Sequence, residues 1–319
     1  MRGEVRQVLD FDCPRWARRL AASVAILVLA TTACSPPEPG LASNSTSGTA
    51  AEDESSDTTV IEGSLSGTIV YSSDTEGNED VFVLRLDGSQ PTPLTDGVEK
   101  EFDPDLSPDG TMIAYRRNPQ QDSDIADIWV MGLDGGNKRN LTNAPELSNW
   151  APAWTPHGRI LFSSMRDGSG VLELWSMRAN GSDVTRLSEG WCEYPQPSPD
   201  GSEFVYAAAV GGRYDIIVVD SSGGRRSLTT TPVTEFGPTW SPDGEWIVFS
   251  RDTGERWELL RVRSDGSDEQ LAAEEGVSAT WDPDGHLVWS APGAINVAQP
   301  DGSDLVVLNY PADFISWGD

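Results

Sequence analysis

The side chains able to do chemistry are few in type and heavily weighted toward carboxylates. The chain has 319 residues, of which 51 are acidic and only two are histidine, His157 and His286. His157 replaces the aspartate of a recurring Ser-Pro-Asp-Gly turn and His286 follows another such turn, so both are expected at the surface rather than at a reacting atom. The cysteines are Cys13, Cys34 and Cys192, and no His/Cys cluster has zinc spacing. Cys192 reads as a small buried apolar side chain. No Walker loop or dinucleotide fingerprint is present, because the glycines belong to turns. Two carboxylates about 5–9.5 Å apart would suffice for glycoside hydrolysis, but with so many acids the supply of candidates selects no pair. No cofactor and no metal site is implied, since Asp122-Ser123-Asp124 lacks the rest of a calcium loop.

One constellation repeats. An acidic or amide residue precedes an aromatic at Glu101-Phe102, Asn149-Trp150, Glu193-Tyr194, Glu235-Phe236 and Asp313-Phe314, and Gly276-Val277 breaks the series. What such pairs can do depends on the elements that place them. Three marks recur in register from Gly67 onward. The first is a turn at Ser107-Pro108-Asp109-Gly110, Thr155-Pro156-His157-Gly158, Ser198-Pro199-Asp200-Gly201, Ser241-Pro242-Asp243-Gly244 and Asp282-Pro283-Asp284-Gly285, with glycine spacings of 48, 43, 43 and 41. The second is a hairpin turn, from Asp87-Gly88 to Asp301-Gly302. The third is a Leu before a small or polar residue, from Leu94-Thr95 to Leu308-Asn309. Proline presets φ for a turn and glycine accepts the positive φ that follows. Between the marks lie strand-length runs such as Trp246-Ile247-Val248-Phe249, and no segment keeps a helical period with caps.

Units of about 43 residues with four short strands match a propeller blade, and residues 61–319 suffice for six. The expected fold is all-β, a six-bladed β-propeller of four-stranded blades. Its first unit starts at the second strand, at Gly67-Thr68-Ile69-Val70-Tyr71, and the C-terminal run Asp313 to Asp319 is expected to return as the innermost strand of that blade. Closure of this kind removes exposed edges.

The marks Pro238-Thr239-Trp240-Ser241-Pro242-Asp243-Gly244 and Asp127-Ile128-Trp129-Val130-Met131 through Leu141-Thr142 resemble the TolB-type propeller repeat, over about residues 67–319. The resemblance implies that the acidic–aromatic pairs lie near one mouth of the central tunnel. The acids would then form a partial ring of negative potential suited to a cationic peptide segment, a polyamine or a hard cation. The other reading has the aromatics packed between blades and the acids solvated. Trp154, Trp240 and Trp281 share one repeat position and are expected between blades, whereas Trp150 and Trp191 are candidates for recognition. The insertion from Asn118 to Ala126 is expected to protrude.

The N-terminus reads as an address. Five arginines precede a short apolar run from Leu20 to Ala30, too short to span a bilayer. The following Thr31-Thr32-Ala33-Cys34 resembles the bacterial lipoprotein cleavage box, with Thr31 where leucine is usual. This implies a signal at 1–33 and lipidation of Cys34. Residues 35–60 hold no aromatic residue and read as a flexible tether, with a reach of roughly 25–30 Å. The formal net charge is −29, which argues against nucleic acid as a partner. The expectation is thus a noncatalytic, exported and lipid-anchored monomeric propeller. Glu101, Phe102, Trp150, Glu193, Tyr194, Glu235, Phe236 and Asp313 would bind an envelope protein or peptide. The alternative is a carbohydrate-active hydrolase or lyase using tunnel carboxylates.

Overall fold

Alternating apolar residues and regularly spaced turns build six antiparallel four-stranded sheets, each one blade. The structure, a computed structural model, describes residues 65–74, 78–119, 125–144 and 146–318. The expected export signal, the expected lipidation at Cys34, the expected tether and the Asp122–Asp124 pattern lie outside the described residues. In blade one, β1 (Thr68–Asp74), β2 (Glu79–Arg85) and β3 (Thr92–Pro93) are joined on the inside by β24 (Phe314–Gly318). Blade two comprises β4 (Lys100–Leu106), β5 (Met112–Asn118), β6 (Asp127–Gly132) and β7 (Arg139–Asn140). Blade three comprises β8 (Asn149–Trp154), β9 (Arg159–Ser164), β10 (Glu173–Arg178) and β11 (Thr185–Arg186). Blade four runs through β12 (Cys192–Pro197), β13 (Glu203–Val210), β14 (Arg213–Asp220) and β15 (Arg225–Ser227). Blade five holds β16 (Glu235–Trp240), β17 (Trp246–Asp252), β18 (Trp257–Arg263) and β19 (Gln270–Ala273). Blade six holds β20 (Val277–Trp281), β21 (Leu287–Ala291), β22 (Ala294–Ala298) and β23 (Val306–Leu308).

The closing strand expected from the C-terminal run is present: β24 pairs antiparallel with β1, from Phe314 opposite Ser72 to Gly318 opposite Thr68. Trp317 joins Trp154, Trp240 and Trp281 as a buried residue at one repeat position. Gly67, at φ +137°, lies under the Trp317 ring, where a β-carbon would stand 2.7 Å from Cζ2, so this close approach requires glycine. The core lies between neighbouring blades. Tyr115 and Ile113 of blade two pack on Val70 and Val83 of blade one, and Phe162 and Ile160 of blade three on Val130 and Ile128 of blade two. Asn118 and Ala126, the ends of the insertion expected to protrude, are both buried.

Each innermost strand except β24 carries a bulge at one repeat position. Register shifts fall between Phe102 and Asp105, Trp150 and Ala153, Glu193 and Gln196, Phe236 and Thr239, and Val277 and Thr280. The extra residue is left-handed in every case: Asp103, Ala151, Tyr194, Gly237 and Ser278 have φ between 47° and 60°. Four of the five precede a proline, which lacks a ladder donor, so the bulge sits where pairing is already weakened. A left-handed non-glycine residue costs about 1–2 kcal/mol. The strain is kept at the one level where these residues line the tunnel.

Candidate functional site at the tunnel mouth

Of the acids foreseen ahead of the innermost strands, Glu101, Glu193 and Glu235 lie within the first two residues of their strands and are buried. Glu101, Asn149 and Glu235 occupy one position, and the residue facing each on the next strand matches it. Arg117 Nε lies 3.2 Å from Glu101 Oε1. Ser164 Oγ donates to Asn149 Oδ1 at 2.8 Å, and Arg251 Nε donates to Glu235 Oε1 at 2.8 Å. In blade four the same position is Cys192 opposite Ala208. An ion pair, a hydrogen bond and a small apolar pair are three solutions to one buried site, as burial without a partner would be costly. Burial still pushes the Glu101 carboxyl up to about 7 against the pull of Arg117. Cys192 is fully buried, and burial raises its thiol well above the ordinary range.

Glu193 is displaced by one residue from the series in which the sequence had set it. Counting through the bulge, Glu193 shares a position with Phe102, Trp150 and Phe236, and Tyr194 with Asp103, Ala151 and Gly237. The Glu193 carboxylate accepts from Trp191 Nε1 at 2.6 Å and from the Tyr214 hydroxyl at 2.8 Å. Burial raises its pKa and these two hydrogen bonds oppose the rise. Trp191 is therefore partly engaged within the protein. Asp313 lies just before β24 and, with Phe314 opposite Ser72, falls at the position of Glu101, Asn149 and Glu235. Its carboxyl hydrogen-bonds Glu79, and burial, the largest cause, raises the pKa of both. The expected ring of open negative charge is thus not formed: Glu101 and Glu235 face arginines, Glu193 faces two donors and Asp313 faces another carboxyl.

The aromatics do gather at the mouth. Tyr194 stacks with Phe314 at 5.9 Å between ring centroids and meets Phe236 at 5.8 Å. Phe236 and Trp257 meet in a T-shaped pair, 4.7 Å between ring centroids. Phe102 and Trp150 hold the Arg116 guanidinium between them, 5.0 and 4.6 Å from the ring centroids. Arg116 is a residue that sequence reasoning passed over. The equivalent positions are Ser72, Ser163, Ala207, Ser250 and Ser290, so one arginine stands in a ring of small residues. Aligning the repeats at this strand would have exposed it.

Asp103 and Asp105 were also passed over. Both line the tunnel cavity of about 70 Å³, to which all six innermost strands contribute. Asp105 accepts from the Trp154 amide at 2.6 Å and from Ser316 Oγ at 2.9 Å, tying blades two, three and one. Burial lifts it to about 6. Asp103 differs: neither of its oxygens has a hydrogen bond of normal geometry, and its nearest cation, Arg116 Nη1, is 3.9 Å away. Burial raises its pKa against the pull of Arg116 and of the Ala151 amide. Among the described residues, no group of three or more His, Cys, Asp and Glu side chains is placed to hold a metal ion. His157 is exposed in its turn, and His286 Nδ1 lies 2.6 Å from Asp282 Oδ2.

The TolB beta propeller domain family matches residues 119–285. The chain belongs to that family. An uncharacterised protein of Agrobacterium fabrum, Atu1656, is 31% identical over 149 residues, which is 45% of this chain and 46% of that protein. The Tol-Pal system protein TolB of Anaeromyxobacter sp. strain K is 33% identical over 117 residues, 36% of this chain and 26% of its own. The chain thus spans less than half the length of either curated relative. The crystal structure of TolB from Acinetobacter baumannii superposes with a TM-score of 0.69 at 21% identity, over 80% of this chain and 67% of that one, and shows the shared fold.

Proposed function

We propose that this TolB-family chain is an exported, lipid-anchored propeller that binds a protein or peptide at its tunnel mouth without catalysing a reaction. The observation that supports this reading is the mouth itself. Aromatic side chains from blades one, four and five line a cavity of only about 70 Å³, and Phe102 and Trp150 of blades two and three flank Arg116. Small-molecule sites usually offer about 300–1,000 Å³, so a partner would dock across the rim with no more than a tip inside. Phe102, Trp150 and Tyr194 form the contact surface, while Glu101, Glu193, Glu235, Phe236 and Asp313 hold it from beneath. The Cys34 anchor and the 34–60 tether would present residues 61–319 beyond a lipid surface. The resemblance to a Tol-Pal system protein agrees with an envelope setting.

A second reading, a carbohydrate-active hydrolase or lyase, is favoured by the raised carboxyls of Asp103, Asp105 and Glu193 in and beside the tunnel. The size of the cavity opposes it, and Asp105 and Glu193 are held by donors within the protein. The test is paired. Trp150→Ala with Tyr194→Ser alters the mouth, and Leu271→Ser with Val307→Ser alters the exposed outer strands. Capture of a specific envelope protein should fall at least tenfold for the mouth variant alone. Loss confined to the outer-strand variant would sink the reading.

A further inference from the structure

We propose that the tunnel is a socket for a primary ammonium group, held between the Asp103 carboxylate and an aromatic wall of Tyr194, Phe236 and Phe314. Where that ammonium is a partner's lysine, the proposal rests on docking at the mouth.

Asp103 is a cavity-lining carboxyl that the fold leaves incomplete at both oxygens. Its side chain is 6% exposed and lines the cavity, yet neither oxygen has a hydrogen bond of normal geometry, the Ala151 amide acting on it only from outside that geometry. An ionised carboxylate offers about four acceptor sites, and leaving them empty in a buried place costs free energy. Arg116 does not fill them. Its guanidinium is stacked on Phe102 and Trp150, its Nε donates to Asn118 Oδ1 at 2.9 Å, and its nearest nitrogen stops 3.9 Å short of Asp103. The propeller does not need a carboxylate here either, because other blades place Ala151, Gly237 and Ser278 at the same left-handed position.

Tyr194, Phe236 and Phe314, which line the same cavity, supply the other half. Aromatic faces attract a cation and are indifferent to hydrogen-bond geometry. A cavity lined by a buried carboxylate and three aromatic rings therefore selects positive charge with N–H donors. Size narrows the class. About 10–15 Å³ in this measure holds one water, so about 70 Å³ takes a group of several heavy atoms. A lysine head with its last methylenes fits, and a sugar ring does not. Asp105, with both oxygens accepting from Trp154 and Ser316, is already satisfied and adds no competing site.

The test titrates the full chain by calorimetry with n-butylammonium, with n-butanol as its uncharged counterpart, and with the capped peptide Gly-Gly-Lys-Gly-Gly. Butylammonium should bind saturably and at least tenfold tighter than butanol. Asp103→Asn should abolish that preference. Asparagine tolerates the left-handed conformation, so this variant should keep its melting temperature, and Phe314→Leu gives a second, uncharged perturbation that should weaken amine binding. Equal binding of butanol and butylammonium, or an unchanged preference in Asp103→Asn, would overturn the socket. Binding of the lysine peptide assigns the ammonium to a partner chain, and binding of butylammonium alone assigns it to a free amine. Lost amine preference with mouth capture intact defeats the socket only, and intact amine preference without mouth capture defeats the docking reading only.

Discussion

Replacing Glu79 with glutamine is expected to make the fold more resistant to alkali. Glu79 opens β2 at a position that in other blades holds Ala126, Leu172, Tyr214 and Trp257. There Trp257 meets Phe236 in blade five and Tyr214 meets Glu193 in blade four, each at the position next to that of Asp313. In blade one, where the two ends of the propeller meet, Glu79 instead meets a second carboxyl, Asp313. Burial first, then Asp313 and Asp74, raise Glu79 from 4.5 to about 8, with Lys100 opposing. A group whose pKa is raised on folding contributes stability fully present below its unfolded value and lost as pH rises through its folded value. The window here runs from about 4.5 to about 8. At about 1.4 kcal/mol for each tenfold in proton affinity, the loss at the alkaline end is of order 3–5 kcal/mol. For a domain of this size that is roughly 6–20 °C in melting temperature. Glutamine keeps a donor for Asp313 and has no proton to lose. Thermal melts at pH 5, 7 and 9 should therefore converge at pH 5, with the variant ahead at pH 9. Other raised carboxyls, Glu101, Asp103, Asp105 and Glu193, act in the same direction in both proteins, so the difference between the two profiles is the readout. Parallel profiles across the range would refute the shared-proton account of the closing blade.

Arg251→Met should cost about 3–5 kcal/mol in chemical denaturation, because it strands fully buried Glu235 without its cation. Gly67→Ala should lower the melting temperature through its clash with Trp317 at φ +137°, at a cost of about 1–3 kcal/mol. Cys192 should resist a thiol reagent in the native protein and react on denaturation, since its thiol is buried and its pKa raised.

Blade number and ring closure could be read from sequence because proline and glycine turns recur at a fixed interval, and Asp313 to Gly318 matches an entry strand. The alignment of the site could not be read by matching acid–aromatic pairs. Glu193 stands two residues before Pro195, whereas Glu235 stands three before Pro238. One bulge residue therefore separates two pairs that look alike. Charge was misjudged for a different physical reason. Arg117 and Arg251 lie 16 residues from the acids they neutralise and meet them only through strand pairing. Asp103 went unnoticed because its value lies in what it lacks, a hydrogen-bond partner, and that is a property of the folded wall alone.

The claim that the mouth is the binding surface is tested most directly by photo-cross-linking in cells. A cross-linking residue replaces Trp150 at the mouth or Leu271 on the exposed outer strand of blade five. The account predicts one discrete adduct from position 150 and none from position 271. An adduct from position 271 with none from position 150 would contradict it.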